Sequence, residues 1–68
     1  MNHAFMLKYY AQARMKAMAK RWRTEANRLA LRIRKCEYFD QTSRVIMSTE
    51  IRSLRRCAKA LERLSKSL

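Results

Sequence analysis

The chain has 68 residues, with 17 Lys or Arg against five acidic residues, a net charge of +12, and neither Gly nor Pro. A chain of this length buries only about 60% of the surface that it exposes when unfolded, which excludes a large independent core. The absence of glycine excludes a phosphate-binding loop, and no run of 18 apolar residues is present to span a membrane.

The first half of the chain carries apolar residues in steps of three or four, from Leu7 through Met15 and Trp22 to Cys36. These steps average close to the 3.6 residues of a helical turn, and good helix formers dominate the composition. The pattern predicts one long amphipathic helix over residues 3–38.

Residues 38–43 read Tyr-Phe-Asp-Gln-Thr-Ser and are rich in side chains that compete with the backbone for hydrogen bonds. Such residues favour helix caps, so we expect a turn over residues 39–43 with Asp40 or Thr42 as the N-cap of a second helix. Neither residue has Glu or Gln three positions later, so the capping-box signature is missing.

A second apolar stripe runs through Ile51, Leu54, Ala58 and Leu61 and predicts this second helix over residues 44–67, with Ser65 interrupting the stripe. We therefore predict an all-α antiparallel two-helix hairpin, one domain over residues 1–68. Because two helices alone have too little core, we expect it to dimerise into a helical bundle. The second stripe continues the phase of the first, so one unbroken helix in a coiled coil is the alternative.

A hairpin that turns near residue 41 covers helix 1 only back to about residue 15 and leaves an apolar, aromatic end beyond it. Uncovered apolar clusters usually mark partner surfaces, although a chain end can also fray or fold back. Trp22 lies within the stripe, where core packing is its expected role. The residues expected to join two copies or to hold a larger protein partner are Phe5, Leu7, Tyr9, Tyr10, Trp22, Leu29, Leu54 and Leu61.

Basic residues recur every three or four positions on helix 2, opposite its apolar stripe, and every seven positions on helix 1. Such rows can follow a phosphate backbone, although a merely solvated face has the same composition. The short helices of a helix-turn-helix are missing, which favours binding to structured RNA or to the DNA backbone over base reading. The predicted nucleic-acid-binding residues are Arg52, Arg55, Arg56, Lys59, Arg63 and Lys66 on helix 2, and Arg14, Arg21, Arg28 and Lys35 on helix 1.

A second interpretation is a protein-binding effector or inhibitor, of the kind that phages or mobile elements encode, which docks on an acidic host protein. Attachment to a membrane surface is less favoured, because basic residues leave helix 1 too narrow an apolar face. The nucleic-acid-binding interpretation implies a small regulator or a component of a larger particle, whereas the effector belongs to a different class of function.

Catalytic chemistry is not expected. The five acids, Glu25, Glu37, Asp40, Glu50 and Glu62, are spread along the chain, so we predict no enzyme, no cofactor and no small-molecule substrate.

The cysteines Cys36 and Cys57 have no metal-ligand spacing and lie far in sequence from His3, so no metal site is predicted. We expect both to be buried free thiols in the cytoplasm or another reducing compartment. The first 24 residues lack any acid, as mitochondrial transit peptides do, so the mitochondrial matrix is the alternative location.

Overall fold

The computed structural model describes the backbone of residues 3–35 and 40–68, with side chains from Met6 onward. It has two helices, α1 (His3–Lys35) and α2 (Gln41–Ser67). Hydrogen bonds from side chains join Gln12 to Ser65 and Asn27 to Arg55. Because the later residue of α1 is bonded to the earlier residue of α2, the helices run antiparallel. The predicted all-α hairpin is confirmed, and the alternative of one unbroken helix is wrong. The molecule is a rod of 57 × 15 × 11 Å.

Asp40 begins α2 as its N-cap. Its backbone is extended, with φ −72° and ψ 172°, and its Oδ1 accepts a hydrogen bond of 2.8 Å from the Ser43 N–H. The Asp40 carbonyl accepts the N–H of Arg44 at 3.0 Å. The cap is therefore Asp40 and not Thr42, and α2 begins at Gln41, earlier than the residue 44 that the sequence indicated. Residues 36–39 lie outside the described part of the chain.

The line along which the two helices meet is built from small side chains. Among the residues whose side chains are described, the buried ones are Ala19 and Ala26 of α1, and Ile51, Ala58 and Ser65 of α2. They recur at seven-residue steps on each helix. Since Gln12 bonds Ser65, equal steps place Ala19 level with Ala58, and Ala26 level with Ile51. We call this line the alanine seam.

Ser65 belongs to this seam, whereas the sequence analysis interpreted it as an interruption of the apolar stripe. Only 1% of its surface is exposed. Its hydroxyl donates to the Glu62 carbonyl at 2.8 Å, and its own carbonyl accepts the Gln12 side-chain N–H at 2.7 Å. With its polar groups bonded, Ser65 packs as another small residue.

Apart from Ile51, the large apolar residues of the predicted stripes are not buried in the seam. Met15, Trp22 and Leu29 of α1 are only half-buried, as are Leu54 and Leu61 of α2. Small side chains let two helix backbones approach closely, which leaves little room between them for larger ones. These residues therefore lie along the border of the seam.

Helix α2 covers α1 further than the sequence indicated. Because Gln12 contacts Ser65, the cover reaches three residues beyond position 15. Leu7, Tyr9 and Tyr10 lie nearer the N-terminus of α1, beside and beyond the last residues of α2, and are 68%, 69% and 63% exposed. The Phe5 side chain lies outside the described residues. The difference is consistent with the start of α2 at Gln41, three residues earlier than the sequence indicated.

Cys57 is a free thiol, as predicted, but it is exposed and not buried. It directly precedes Ala58, so its side chain points away from the seam while Ala58 fills it. Cys36 lies outside the described residues.

We predict that Ala58→Leu destabilises the hairpin by about 1–3 kcal/mol, because the extra carbons must enter a close-packed seam. Ala60→Leu is the matched control, since Ala60 lies on the same helix and is exposed. Urea unfolding at fixed protein concentration measures both. Equal unfolding free energies for the two variants would contradict the close approach of the helices.

A second prediction concerns the cap. Hydrogen bonds from the Ser43 side chain and then from its backbone N–H lower the pKa of Asp40. The stabilisation is thus complete above about pH 5 and is lost as the pH falls through the lowered pKa. Asp40→Ala should lower the melting temperature by a few degrees at pH 7, and the gap to the unmodified chain should narrow below pH 3.

Asp40→Ser is the control, because a serine hydroxyl can also accept the Ser43 N–H. A gap that stays the same from pH 7 to below pH 3 would show that the Asp40 charge does not stabilise α2.

Candidate nucleic-acid interface

One side of the seam is lined by basic residues from both helices. Near the free end of α2, Lys16, Lys20 and Arg23 border the same shallow groove as Glu62 and Lys66. Towards the turn, a second groove runs between Ala30 and Ile33 of α1 and a stretch of α2 that includes Arg52 and Arg55. The pairing of the helices therefore gathers cations that lie far apart in sequence.

We call this surface the basic side. All of its members are exposed. Its α2 residues extend from Arg52 to Lys66, a distance of about 21 Å at the helical rise of 1.5 Å per residue. The basic side consists of Lys16, Lys20 and Arg23 of α1 and Arg52, Arg55, Lys59 and Lys66 of α2.

Within the described residues, Glu62 is the one acid of the basic side, and it pairs across the groove with Arg23. The Arg23 Nε donates to Glu62 Oε1 at 2.7 Å. This hydrogen bond is the main reason that the pKa of Glu62 is lowered and that of Arg23 is raised. The charge of Lys66 lowers the pKa of Glu62 slightly further. Both side chains stay ionised at neutral pH, and Glu62 offsets one positive charge of the basic side.

Two amide side chains beside this surface are hydrogen-bonded within the hairpin. Gln12 donates to the Ser65 carbonyl, and the Asn27 Oδ1 accepts a long hydrogen bond of 3.4 Å from Arg55. Amide side chains are the residues that pair with adenine edges in the DNA major groove. What this surface offers to a ligand is therefore mainly positive charge.

The ten predicted binding residues divide among three surfaces. The four on α1, Arg14, Arg21, Arg28 and Lys35, follow the back of that helix, and we call them the rear row. Arg28 and Lys35 border a depression on α1 alone, and Arg28 pairs with Glu25 at 3.1 Å. Of the six on α2, four belong to the basic side, while Arg56 and Arg63 are exposed on the adjoining outer surface of α2.

Lys16, Lys20 and Arg23 were not among the predicted site residues. Their spacing of four and three residues does mark one face of α1. Which face meets α2 depends on the register, and only the contacts between the helices reveal that. Sequence periodicity favoured the rear row because its members are seven residues apart.

The opposite border of the seam is apolar. Trp22 borders a shallow depression there with Met18, Arg21 and Glu25. Helical spacing of three and four residues places Leu61, Leu64 and Leu68 on the corresponding face of α2. We call this surface the apolar side; it consists of Met15, Met18, Trp22 and Leu29 of α1 and Leu54, Leu61, Leu64 and Leu68 of α2.

In the described part of the chain, no three His, Cys, Asp or Glu residues come together in a way that could hold a metal ion. Neither helix, over the residues described, has an apolar stretch that could cross a bilayer. No protein-family model, curated protein or solved structure matches the chain. The surface chemistry of the hairpin is therefore the basis for proposing a function.

Proposed function

We propose that this protein binds the phosphate backbone of nucleic acid through its basic side. The observation that carries the proposal is the gathering of seven cations from two helices onto one side of the seam, where the one described acid is already paired with Arg23. Such a concentration of positive charge attracts polyanions over several ångströms of solvent.

Binding would be driven by counterion release. Each Lys or Arg that neutralises a phosphate frees a condensed cation, so affinity falls steeply as salt rises. The two rows of cations flank a shallow groove, so they can contact phosphates on both sides of a backbone that lies along it. Contacts of this kind position a protein on RNA or DNA without reading its sequence.

Base-specific recognition is not part of the proposal. Gln12 and Asn27 are bonded within the hairpin, and the exposed side chains of the basic side are all Lys or Arg. Structured RNA and duplex DNA both present suitably spaced phosphates, so both are suitable probes.

A second candidate function is docking on an acidic host protein. It is favoured by the exposed Leu7, Tyr9 and Tyr10 at the end of α1, because aromatic residues are enriched at protein interfaces. Capture from a lysate with and without nuclease separates the two functions. Nuclease releases material held through nucleic acid and leaves a directly bound protein in place.

The first test compares two triple variants with the same change of charge. Arg52→Gln/Lys59→Gln/Lys66→Gln alters the basic side, and Arg14→Gln/Arg21→Gln/Arg28→Gln alters the rear row. The first should reduce the slope of log K against log salt by up to about 2.7, since each lost phosphate contact removes about 0.9.

The rear-row variant should change the slope and the affinity much less. Fluorescence anisotropy with labelled RNA and DNA duplexes over a salt series measures both. Equal losses in the two variants would mean that net charge, and not the basic side, determines binding. An affinity that does not depend on salt concentration would contradict the proposal.

The second test removes an acid and should strengthen binding. Glu62→Gln releases Arg23 from its ion pair and removes the carboxylate from the groove. We expect an affinity increase of a few-fold and a steeper salt slope. Glu50→Gln is the matched control, since it changes the net charge equally but lies away from the basic side. If Glu50→Gln strengthens binding as much as Glu62→Gln, the location of the site is wrong.

A further inference from the structure

The apolar side gathers eight large hydrophobic residues, and the hairpin leaves each of them half-buried or exposed. Met18 is 42% exposed and Leu64 is 51% exposed. Trp22, Leu54 and Leu61 are only half-buried. The alanine seam, which is the interior of the hairpin, has Ile51 as its one large buried side chain among the described residues. Because most of the larger apolar side chains lie outside the seam, a single copy gains little stability from burying apolar surface.

The surface area leads to the same conclusion. The chain exposes 6017 Å². A compact folded chain of 8.2 kDa exposes about 4,500 Å² by the usual scaling of surface with mass. The excess is roughly 1,500 Å², while a standard interface buries about 800 Å² from each partner. This excess is spread over the whole rod, and it is larger than the area that one copy contributes to a standard interface.

The distribution of charge permits a second copy to cover this side. The cations of the basic side lie on the far border of the seam, so two copies that meet through their apolar sides keep these groups apart. The rest of the repulsion between two +12 chains is screened by salt over about 10 Å at 0.1 M.

The edge of the apolar side carries charges of both signs. Glu25 and Glu50 lie at three- or four-residue spacing from Trp22 and Leu54, and Arg21 borders the same depression as Trp22. A twofold dimer places the same patch on both partners, so such a patch must complement itself. An edge with both acids and bases can do so, because the acids of one copy can meet the bases of the other.

We infer that the apolar side is the interface with a second copy of this chain in a twofold dimer, which forms a four-helix bundle. In the bundle, the large apolar residues of both hairpins form a common core. The two basic sides then face away from each other on opposite surfaces. If the proposed function holds, one dimer can bridge two segments of nucleic acid.

Leu64→Glu tests the interface, and Val45→Glu is the control. Both residues lie on α2 with similar exposure, 51% and 54%, and both substitutions change the net charge equally. Val45 differs in that it borders a groove with Ser48 and Arg52, away from the apolar side. Sedimentation equilibrium at low and high salt gives the mass, and circular dichroism reports the helix content.

We expect the unmodified chain and Val45→Glu to form dimers that tighten as salt rises, and Leu64→Glu to dissociate at least tenfold more readily. Met18→Glu is the second variant if Leu64→Glu loses its helices. A monomer at both salt concentrations, equal weakening by Val45→Glu, or growth into larger polymers would overturn the inference.

Duplex binding by the same variants separates this inference from the proposed function. The dimer requires no nucleic acid, and the basic side of a single Leu64→Glu chain should still bind a duplex with a steep salt dependence. If the chain forms a dimer that does not bind a duplex, the inference is supported and the proposed function is refuted. The bridging itself should appear as two differently labelled duplexes brought together by the unmodified chain but not by Leu64→Glu.

Discussion

The close approach of two helices along a line of small side chains is the constraint on which the rest of this structure depends. Ala19, Ala26, Ala58 and Ser65 recur at intervals of seven residues and are almost completely buried. Their size lets the backbones come together, and among the described residues Ile51 is the one larger side chain buried between them. Every Met, Leu and Trp of the stripes must therefore lie on the border of the seam or outside it. The arrangement of the surface follows from that exclusion.

The two borders of the seam have opposite chemistry. One gathers Lys and Arg from both helices around shallow grooves, and the other gathers Trp22 and a row of leucines. An antiparallel pair produces this separation because corresponding flanks of the two helices meet on the same side. The chain can therefore present one side to phosphates and the other to a second copy without the two contacts competing. The proposed function and the inferred dimer each use one of these sides.

The sequence was sufficient to predict two amphipathic helices, because the apolar period, the lack of Gly and Pro, and the turn chemistry around Asp40 are all local signals. The register was not local, since it depends on which faces pack. For that reason Ser65 was interpreted as an interruption, and Lys16, Lys20 and Arg23 were not recognised as partners of the α2 cations. Cys57 was expected to be buried because of its residue type, whereas the seam position belongs to its neighbour Ala58.

The separation of the two sides is the central claim, and nuclear magnetic resonance during a titration with a short RNA duplex tests it most directly. Resonances of Lys16, Lys20, Arg23 and the α2 cations should shift, while the Trp22 indole and the Met18 and Leu64 methyl groups should keep their positions. If the duplex shifts Trp22, Met18 and Leu64 and leaves the basic side unchanged, nucleic acid occupies the apolar side and the account is contradicted.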